Sequence, residues 1–363
     1  MHVVFAAGGT AGHVEPALNT ADALIRQDPR ISISFLGGER GLEQALVTSR
    51  GYPLTVTSAE PFPRRIDPAA AVFPWHTATA VRAAIAHLRG VRADVVVGFG
   101  GYAAVPGYLA ARRTKVTLMV HEANSRPGFA NRLGARLTPF VATVHPGVLP
   151  HARHLGLPIR PSIANLDRRA LRAQAREHWG LSHDAPVVLV FGGSQGARRL
   201  NGALAGAVET LTGAGIQILH SVGSRNELPP RLPGYHPVAY IDRMDLAYAA
   251  ADLAVCRSGA MTCAELTAVG LPGIYVPLPI GNGEQAGNSR PIVQAGGGLQ
   301  CPDELMTAEW LTDSVVAVVQ DEERLRSMST AAASLGERHA DEEFASWIIK
   351  VVGHGRGATG DRG

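Results

Sequence analysis

Twice along its length the chain runs an apolar, strand-like segment into a glycine pair and then into a helix-like pattern. The first instance is VFAAGGTAGHVEPALNTADAL, residues 4–24; the second is VVLVFGGSQGARRLNGALAGAV, residues 187–208. A strand that enters a glycine turn and then a helix N-terminus opens a βαβ unit. A chain that does so near residue 4 and again near residue 187 begins an α/β layer twice. Only the first turn carries a histidine, His13.

Short apolar, β-branched runs continue from each turn, alternating with helix-like stretches. HVVFAAG, ISISFLG, LTVTSA, DVVVGFG, VTLMVHE and FVATVHP fall in the first half; PVVLVFGG, IQILHSVG, PVAYI, DLAVCRSG and LPGIYVPLP fall in the second. Near-continuous apolar runs mark strands buried on both faces, as in parallel sheets covered by helices. The reading is therefore α/β, with two Rossmann-like, doubly wound domains. A length of 363 residues and a hydrophobic share of 46% suit two domains with full cores. The boundary is expected where Gly156, Pro158 and Pro161 interrupt the periodicity, dividing residues 1–160 from 161–336. The end of the chain reads as two or three helices. The last of them, about 337–352, is a candidate to pack back on the first domain, and the glycine-rich 353–363 is expected to be disordered.

Net charge is +3, from 34 Lys and Arg against 31 Asp and Glu. That balance is too weak to argue for nucleic acid, but it suits an anionic small molecule or membrane surface. Cys256, Cys263 and Cys301 lack metal-like spacing and fit a reducing compartment. The start, MHVVFAA, lacks the basic segment of a secretory signal. No apolar run reaches the ~18 residues that read as a membrane span, so any membrane contact is expected to be peripheral.

The glycine turns carry chemistry because the first N–H groups of a helix are unpaired and lie at the positive end of its dipole. Gly192, Gly193, Ser194, Gln195 and Gly196 meet this pattern, with a hydroxyl as a further donor; Gly8, Gly9, Thr10, Ala11 and Gly12 meet it too. A tight β-to-α joint would explain either turn alone, whereas two in matching positions favour a ligand. His13 begins the first helix, whose positive end favours the neutral imidazole that a general base needs. The plainer alternative is a surface or capping histidine.

CRSGAMTCAELTAVGLP reads as a strand ending at Ser258 and Gly259, then a helix over 260–269 closed by Gly270. Its start offers donors to a phosphate, and the carboxylate of Glu265 can accept both hydroxyls of a ribose diol. A solvated helix glutamate is the ordinary reading. Glu284, Gln285 and Asn288 lie in a glycine-rich loop after the next strand, where α/β sheets bind ligands, and suit sugar hydroxyls. Tyr102, His121, Glu122, Asn124 and Asn131 stand at the ends of first-half strands. They are ligand-lining candidates, with buried structural roles as the alternative for the histidine and the glutamate. Arg64, Arg65, Phe73 and Trp75 join a helix bearing Arg82, Arg89 and Arg92. Aromatics beside arginines suit a bilayer interface with anionic lipids, and a core role for Phe73 and Trp75 competes with that reading.

Taken in order, GGTAGH, GFGGYAAVPG, HEANSRPG, GLPIR, GGSQGARRLN, YIDRM, CRSGAMTCAEL and EQAGN resemble the MurG family of bacterial glycosyltransferases, from Met1 to about Val352. The resemblance implies the two-domain GT-B fold. It implies inverting transfer of N-acetylglucosamine from UDP-N-acetylglucosamine to the 4-hydroxyl of a lipid-linked muramyl-pentapeptide (lipid I to lipid II) in peptidoglycan synthesis. No cofactor and no metal are implied. The implied location is peripheral, on the cytoplasmic side of an anionic cell membrane, with other cell-wall enzymes as candidate partners and no nucleic acid.

By position, the resemblance implies that Thr10, Ala11 and Gly12 approach the sugar nucleotide and that His13 is the base. Asn124 would be on the sugar side; Tyr102 is a substrate-side candidate from its place at a strand end alone. Arg160 would be the hinge-region arginine, Ser194 a phosphate contact, and Ile241 the residue whose backbone meets uracil. Ala260, Met261, Thr262, Cys263, Ala264 and Glu265 would run from phosphate to ribose, with Gln285 at the donor sugar. Both glycine turns would face one cleft, the Ser194 turn serving the donor and the His13 turn the acceptor. The sequence departs from the family at Ala11, where glycine is usual, and at Ala123 and Glu284, where glutamine is usual. The rival readings are a UDP-sugar epimerase or hydrolase of the same fold, a non-catalytic UDP-sugar-binding membrane scaffold, and an NAD-dependent oxidoreductase. GGTAGH fails the G-x-G-x-x-G pattern of the last, which only Glu39 supports.

Overall fold

The computed structural model describes residues 1–39, 41–60, 68–193 and 197–360, without the side chains of 68–72 and 355–360. They form two units, Met1–Ile159 with His339–Gly363, and Arg160–Arg338.

The first unit alternates β1 (His2–Ala7), α1 (Ala11–Gln27), β2 (Ser32–Gly38), α2 (Glu43–Ser49), β3 (Leu54–Thr57), α3 (Pro68–Gly90), β4 (Val95–Gly100), α4 (Val105–Thr114), β5 (Thr117–Glu122), α5 (Phe129–Leu137), β6 (Val141–Thr143) and β7 (Arg153–His154). Its sheet is parallel throughout, in the order β3-β2-β1-β4-β5-β6-β7. The order reverses direction between β1 and β4, which is where doubly wound sheets open a crevice at their carboxyl ends. Pairing of β1 with β4 shifts there: Ala6 lies opposite Gly98 but Ala7 opposite Gly100. Such an irregularity re-aims the residues that follow, here the turn bearing Tyr102. Val14, Ala17, Leu18, Ala21 and Leu24 of α1 are fully buried at helical spacing, so one face of α1 seals that side of the sheet.

The second unit runs α6 (Pro161–Ala164), α7 (Arg168–Trp179), β8 (Val187–Phe191), α8 (Arg198–Gly213), β9 (Gln217–Ser221), β10 (Tyr235–Val238), α9 (Met244–Ala250), β11 (Leu253–Cys256), α10 (Ala260–Val269), β12 (Gly273–Tyr275), α11 (Glu284–Gln294), β13 (Gly298–Gln300), α12 (Ala308–Val319) and α13 (Glu322–Ala333). Its sheet is again parallel, in the order β10-β9-β8-β11-β12-β13, and reverses between β8 and β11. Arg176 of α7 is buried in it, paired with Asp252 at 2.9 Å and donating to the carbonyls of Ser182, His183 and Ala185.

The last helix, α14 (Ala340–Gly360), belongs to the first unit. Asp341 pairs with Arg26 at 2.5 Å, and Phe344 meets the Phe99 ring edge-on at 5.8 Å. The helix continues through Gly353 to Gly360, where composition had suggested a disordered tail over 353–363. The short strands β7 and β13, absent from the sequence reading, close the sheets at one edge each.

Candidate functional site

In the first unit the candidate residues gather at the β1/β4 reversal. Gly9 turns the chain with a φ of +91°, and Thr10 then caps α1 in an extended conformation. Ala11 is the first residue of the helix and does not have a positive φ, so the departure from glycine there introduces no backbone strain. The Thr10 hydroxyl lies 3.1 Å from Nδ1 of His13. Gly101 approaches so closely that a Cβ on it would stand 2.0 Å from the Gly8 carbonyl oxygen and 3.3 Å from His13 Nδ1. The Tyr102 ring flanks Gly9, within 3.3 Å of where a Cβ would be.

The turn also contains a carboxylate that sequence reading missed. Glu43 is fully buried, and its two oxygens accept the N–H groups of Gly38 at 2.8 Å and Gly9 at 3.1 Å. One donor of the glycine turn is thus already engaged, beside an acceptor-only group if ionised. This makes the first turn a poorer cradle for phosphate than its glycines alone imply.

His13 and Tyr102 line one cavity of about 400 Å³. Its other walls are mainly apolar and include Phe73 of α3, Leu109 of α4, and Phe129 and Leu133 of α5. Phe129 is 65% exposed and Trp75 is 69% exposed, so Trp75 is not a core residue. The signal for Phe129, an aromatic opening a helix directly after Pro127 and Gly128, was present in the sequence but unused.

His121, Glu122 and Asn131 prove to be supports. His121 is wholly buried, with Nε2 donating to the Gly156 carbonyl at 3.0 Å, and burial pushes its pKa down to about 4. Glu122, also buried, accepts from the Asn124 N–H (2.8 Å), the Gly128 N–H (3.3 Å) and the Asn131 amide (2.9 Å). It thereby shapes the loop that presents Asn124. Ala123, the departure beside it, is buried.

In the second unit the candidates stand at the carboxyl ends of β10, β11 and β12. No side chain caps α10, and its first hydrogen bond at this end is Cys263 N–H to the Gly259 carbonyl. The N–H groups of Ala260, Met261 and Thr262 therefore lack helical partners at the positive end of the dipole. Ala264 follows on the same helix, and Glu265 is buried within it. The Tyr248 hydroxyl donates to Glu265 Oε2 at 2.8 Å, and Arg160 Nε lies 3.7 Å from Oε1. Ile241 is buried just beyond β10. Gln285 accepts the Leu278 N–H at 3.0 Å through Oε1, which leaves its amide nitrogen as the end that can donate to a sugar. Glu284 accepts the Asn282 N–H at 3.1 Å, so this departure braces the loop.

Ser194, Arg64 and Arg65 lie outside the described residues. Among the described residues no group of three or more His, Cys, Asp and Glu side chains could hold a metal ion, and no helix is long and apolar enough to cross a membrane.

Comparison with known proteins places these features in a family. Residues 3–143 match the glycosyltransferase family 28 N-terminal domain, and residues 187–344 match its C-terminal domain. The chain is 53% identical to a Streptomyces avermitilis protein over 97% of this chain and 99% of that one. It is 52% identical to one from Thermobifida fusca, over 97% and 94%. Both carry the name UDP-N-acetylglucosamine--N-acetylmuramyl-(pentapeptide) pyrophosphoryl-undecaprenol N-acetylglucosamine transferase. Among solved structures, Acinetobacter baumannii MurG is 27% identical with a TM-score of 0.78, covering 96% of this chain and 99% of that one. A UDP-GlcNAc 2-epimerase from Neisseria meningitidis shares the fold alone, at 13% identity and a TM-score of 0.67, over 96% and 100%.

Proposed function

The chain belongs to glycosyltransferase family 28, and from that premise we propose that it transfers N-acetylglucosamine from UDP-N-acetylglucosamine to a lipid-linked muramyl-pentapeptide in peptidoglycan synthesis. The observation that carries this reading is the second unit's constellation: an uncapped α10 start for the pyrophosphate and a clamped Glu265 for the ribose. It stands in a chain similar end to end to transferases bearing that name.

The second unit binds the donor. Uracil meets the backbone at Ile241, the pyrophosphate meets the N–H groups of Ala260, Met261 and Thr262, and Gln285 donates to the sugar. Arg160 completes this side, and the sequence GGSQG assigns Ser194 to the phosphate. The α10 dipole stabilises charge that grows on UDP as it leaves, which is where preorganised donors act most strongly.

The first unit binds the acceptor, with Tyr102 and Asn124 beside it. When Nδ1–H of His13 donates to Thr10 Oγ1, the imidazole is the tautomer whose Nε2 lone pair serves as the base. Nε2 takes the proton of the muramyl 4-hydroxyl as that oxygen attacks the anomeric carbon. The C–O bond to UDP breaks as the new glycosidic bond forms, and direct displacement inverts the anomeric centre. The Glu43 carboxylate in this turn suits a neutral hydroxyl better than a second phosphate. Exposed Trp75 and Phe129 suit peripheral attachment to an anionic bilayer on the cytoplasmic side.

The test is UDP release from UDP-N-acetylglucosamine with and without the lipid-linked acceptor. Release that requires the acceptor, with a disaccharide product, supports the reading. Release at the same rate without acceptor would make the chain a hydrolase or epimerase, and no release at all would make it a binding protein.

A further inference from the structure

Tyr248 is not among the groups that meet a substrate in the reaction just described, yet it is built into the donor side at three points. It is fully buried in α9. Its hydroxyl donates to Oε2 of Glu265 at 2.8 Å, while Arg160 Nε lies 3.7 Å from the other carboxylate oxygen. Its ring packs against Phe191, with centroids 6.3 Å apart, and Phe191 is the last residue of β8 before the second glycine turn. Its backbone is held as well. Arg168 donates to the carbonyls of Tyr248 (3.0 Å), Ala251 (2.6 Å) and Gly270 (2.9 Å), tying the α9 backbone to the end of α10.

We propose that Tyr248 is a positioning residue: it touches no ligand, but it holds the Glu265 carboxylate aimed at the ribose diol and so sets the preference for ribonucleotides over nucleotides lacking those hydroxyls. The inference rests on the reading of Glu265 as the ribose carboxylate.

The physical basis is preorganisation. A glutamate free to rotate loses that freedom when a ligand binds, whereas one already clamped does not. A carboxylate offers about four lone-pair sites, so the bond from the phenol does not by itself exclude two hydroxyls. Burial and the neighbouring carboxylate push the Tyr248 pKa well above its ordinary value, so the phenol remains a donor throughout the working range. Phenylalanine would fill the same space without aiming the carboxylate, which separates packing from positioning.

The test measures affinities of the full chain for UDP and 2′,3′-dideoxy-UDP by calorimetry. It compares wild type, Tyr248→Phe, Glu265→Ala and the double variant, each with a cooperative thermal transition. Wild type is expected to prefer UDP by about tenfold or more, the scale of hydrogen bonds to a charged group. Tyr248→Phe is expected to cut that preference about fivefold by weakening UDP, with dideoxy-UDP unchanged within about twofold. The double variant is expected to show the preference of Glu265→Ala alone, because Tyr248 acts only through the carboxylate. If Tyr248→Phe does not fold, the double variant, with no buried carboxylate left beside the missing phenol, carries the same comparison. An unchanged preference in Tyr248→Phe, equal weakening of both nucleotides, or a further loss in the double variant would overturn the proposal. Wild-type preference retained in Glu265→Ala would overturn the ribose reading itself. Preference lost there but kept in Tyr248→Phe would overturn the role of Tyr248 alone.

Discussion

A Cβ at Gly101 would stand 2.0 Å from the Gly8 carbonyl, at a φ of +79° that side chains rarely adopt. Gly101→Ala must therefore push the first glycine turn, and His13 with it, out of place. We expect turnover to fall by about tenfold or more, since small misplacements of reacting groups are costly. UDP affinity, which the proposed function assigns to the second unit, should stay within about twofold by calorimetry. Equal loss in both measurements would mean that the residue supports the whole fold rather than one site. At this scale the readable part was what lies close together in sequence, such as the Gly8–His13 turn and the Glu265 helix. Glu43 was not readable, because its partner Gly9 lies 34 residues away and nothing in ERGLEQAL marks it as buried. Tyr248 was hidden in the same way: it stands among alanines just before the strand-like run DLAV, and nothing local marks its hydroxyl as paired. His121 and Glu122 were visible as polar residues at a strand end, but only packing shows that they face inward.

Helices α3 and α5 set aromatic side chains on the surface of the first unit, Trp75 at 69% and Phe129 at 65% exposure. Exposed aromatics near arginines favour the interfacial zone of anionic bilayers, and the electrostatic part of that attraction weakens as salt screens it. Trp75→Ser/Phe129→Ser should therefore lower co-sedimentation with vesicles containing anionic lipid by roughly tenfold, through lost apolar burial. Binding by wild type should fall as salt rises. Vesicle binding by the double variant equal to that of wild type would place the contact elsewhere on the molecule. The alternation of elements was readable because buried parallel strands are continuous apolar runs. The edge strands Arg153–His154 and Gly298–Gln300 were not, being two and three residues long with no such run.

Over the whole molecule, each unit buries a histidine that burial holds neutral: His121 in the first and His220 in the second, both pushed down to about 4. The unfolded chain takes up these protons near pH 6.5, but the folded chain only near 4, so the unfolded state binds more protons in between. Stability must fall as pH drops through that window and level off below it, by on the order of 2 kcal/mol per histidine between pH 6.5 and 5. Urea midpoints should decline over that range, and His121→Phe should flatten the decline. A midpoint indifferent to pH there would contradict neutral burial. The duplicated glycine turn made the two-unit plan readable, whereas the Glu43 carboxylate enters the first turn from elsewhere in the sequence. The central claim is that the second unit holds the donor while His13 of the first activates the acceptor. The most direct measurement is therefore UDP release at saturating acceptor by His13→Ala, alongside its UDP-N-acetylglucosamine affinity. We predict turnover lower by about 10²–10⁴-fold, the range of general-base assistance, with donor affinity within about threefold of wild type. Normal turnover, or a collapse of donor affinity, would contradict it.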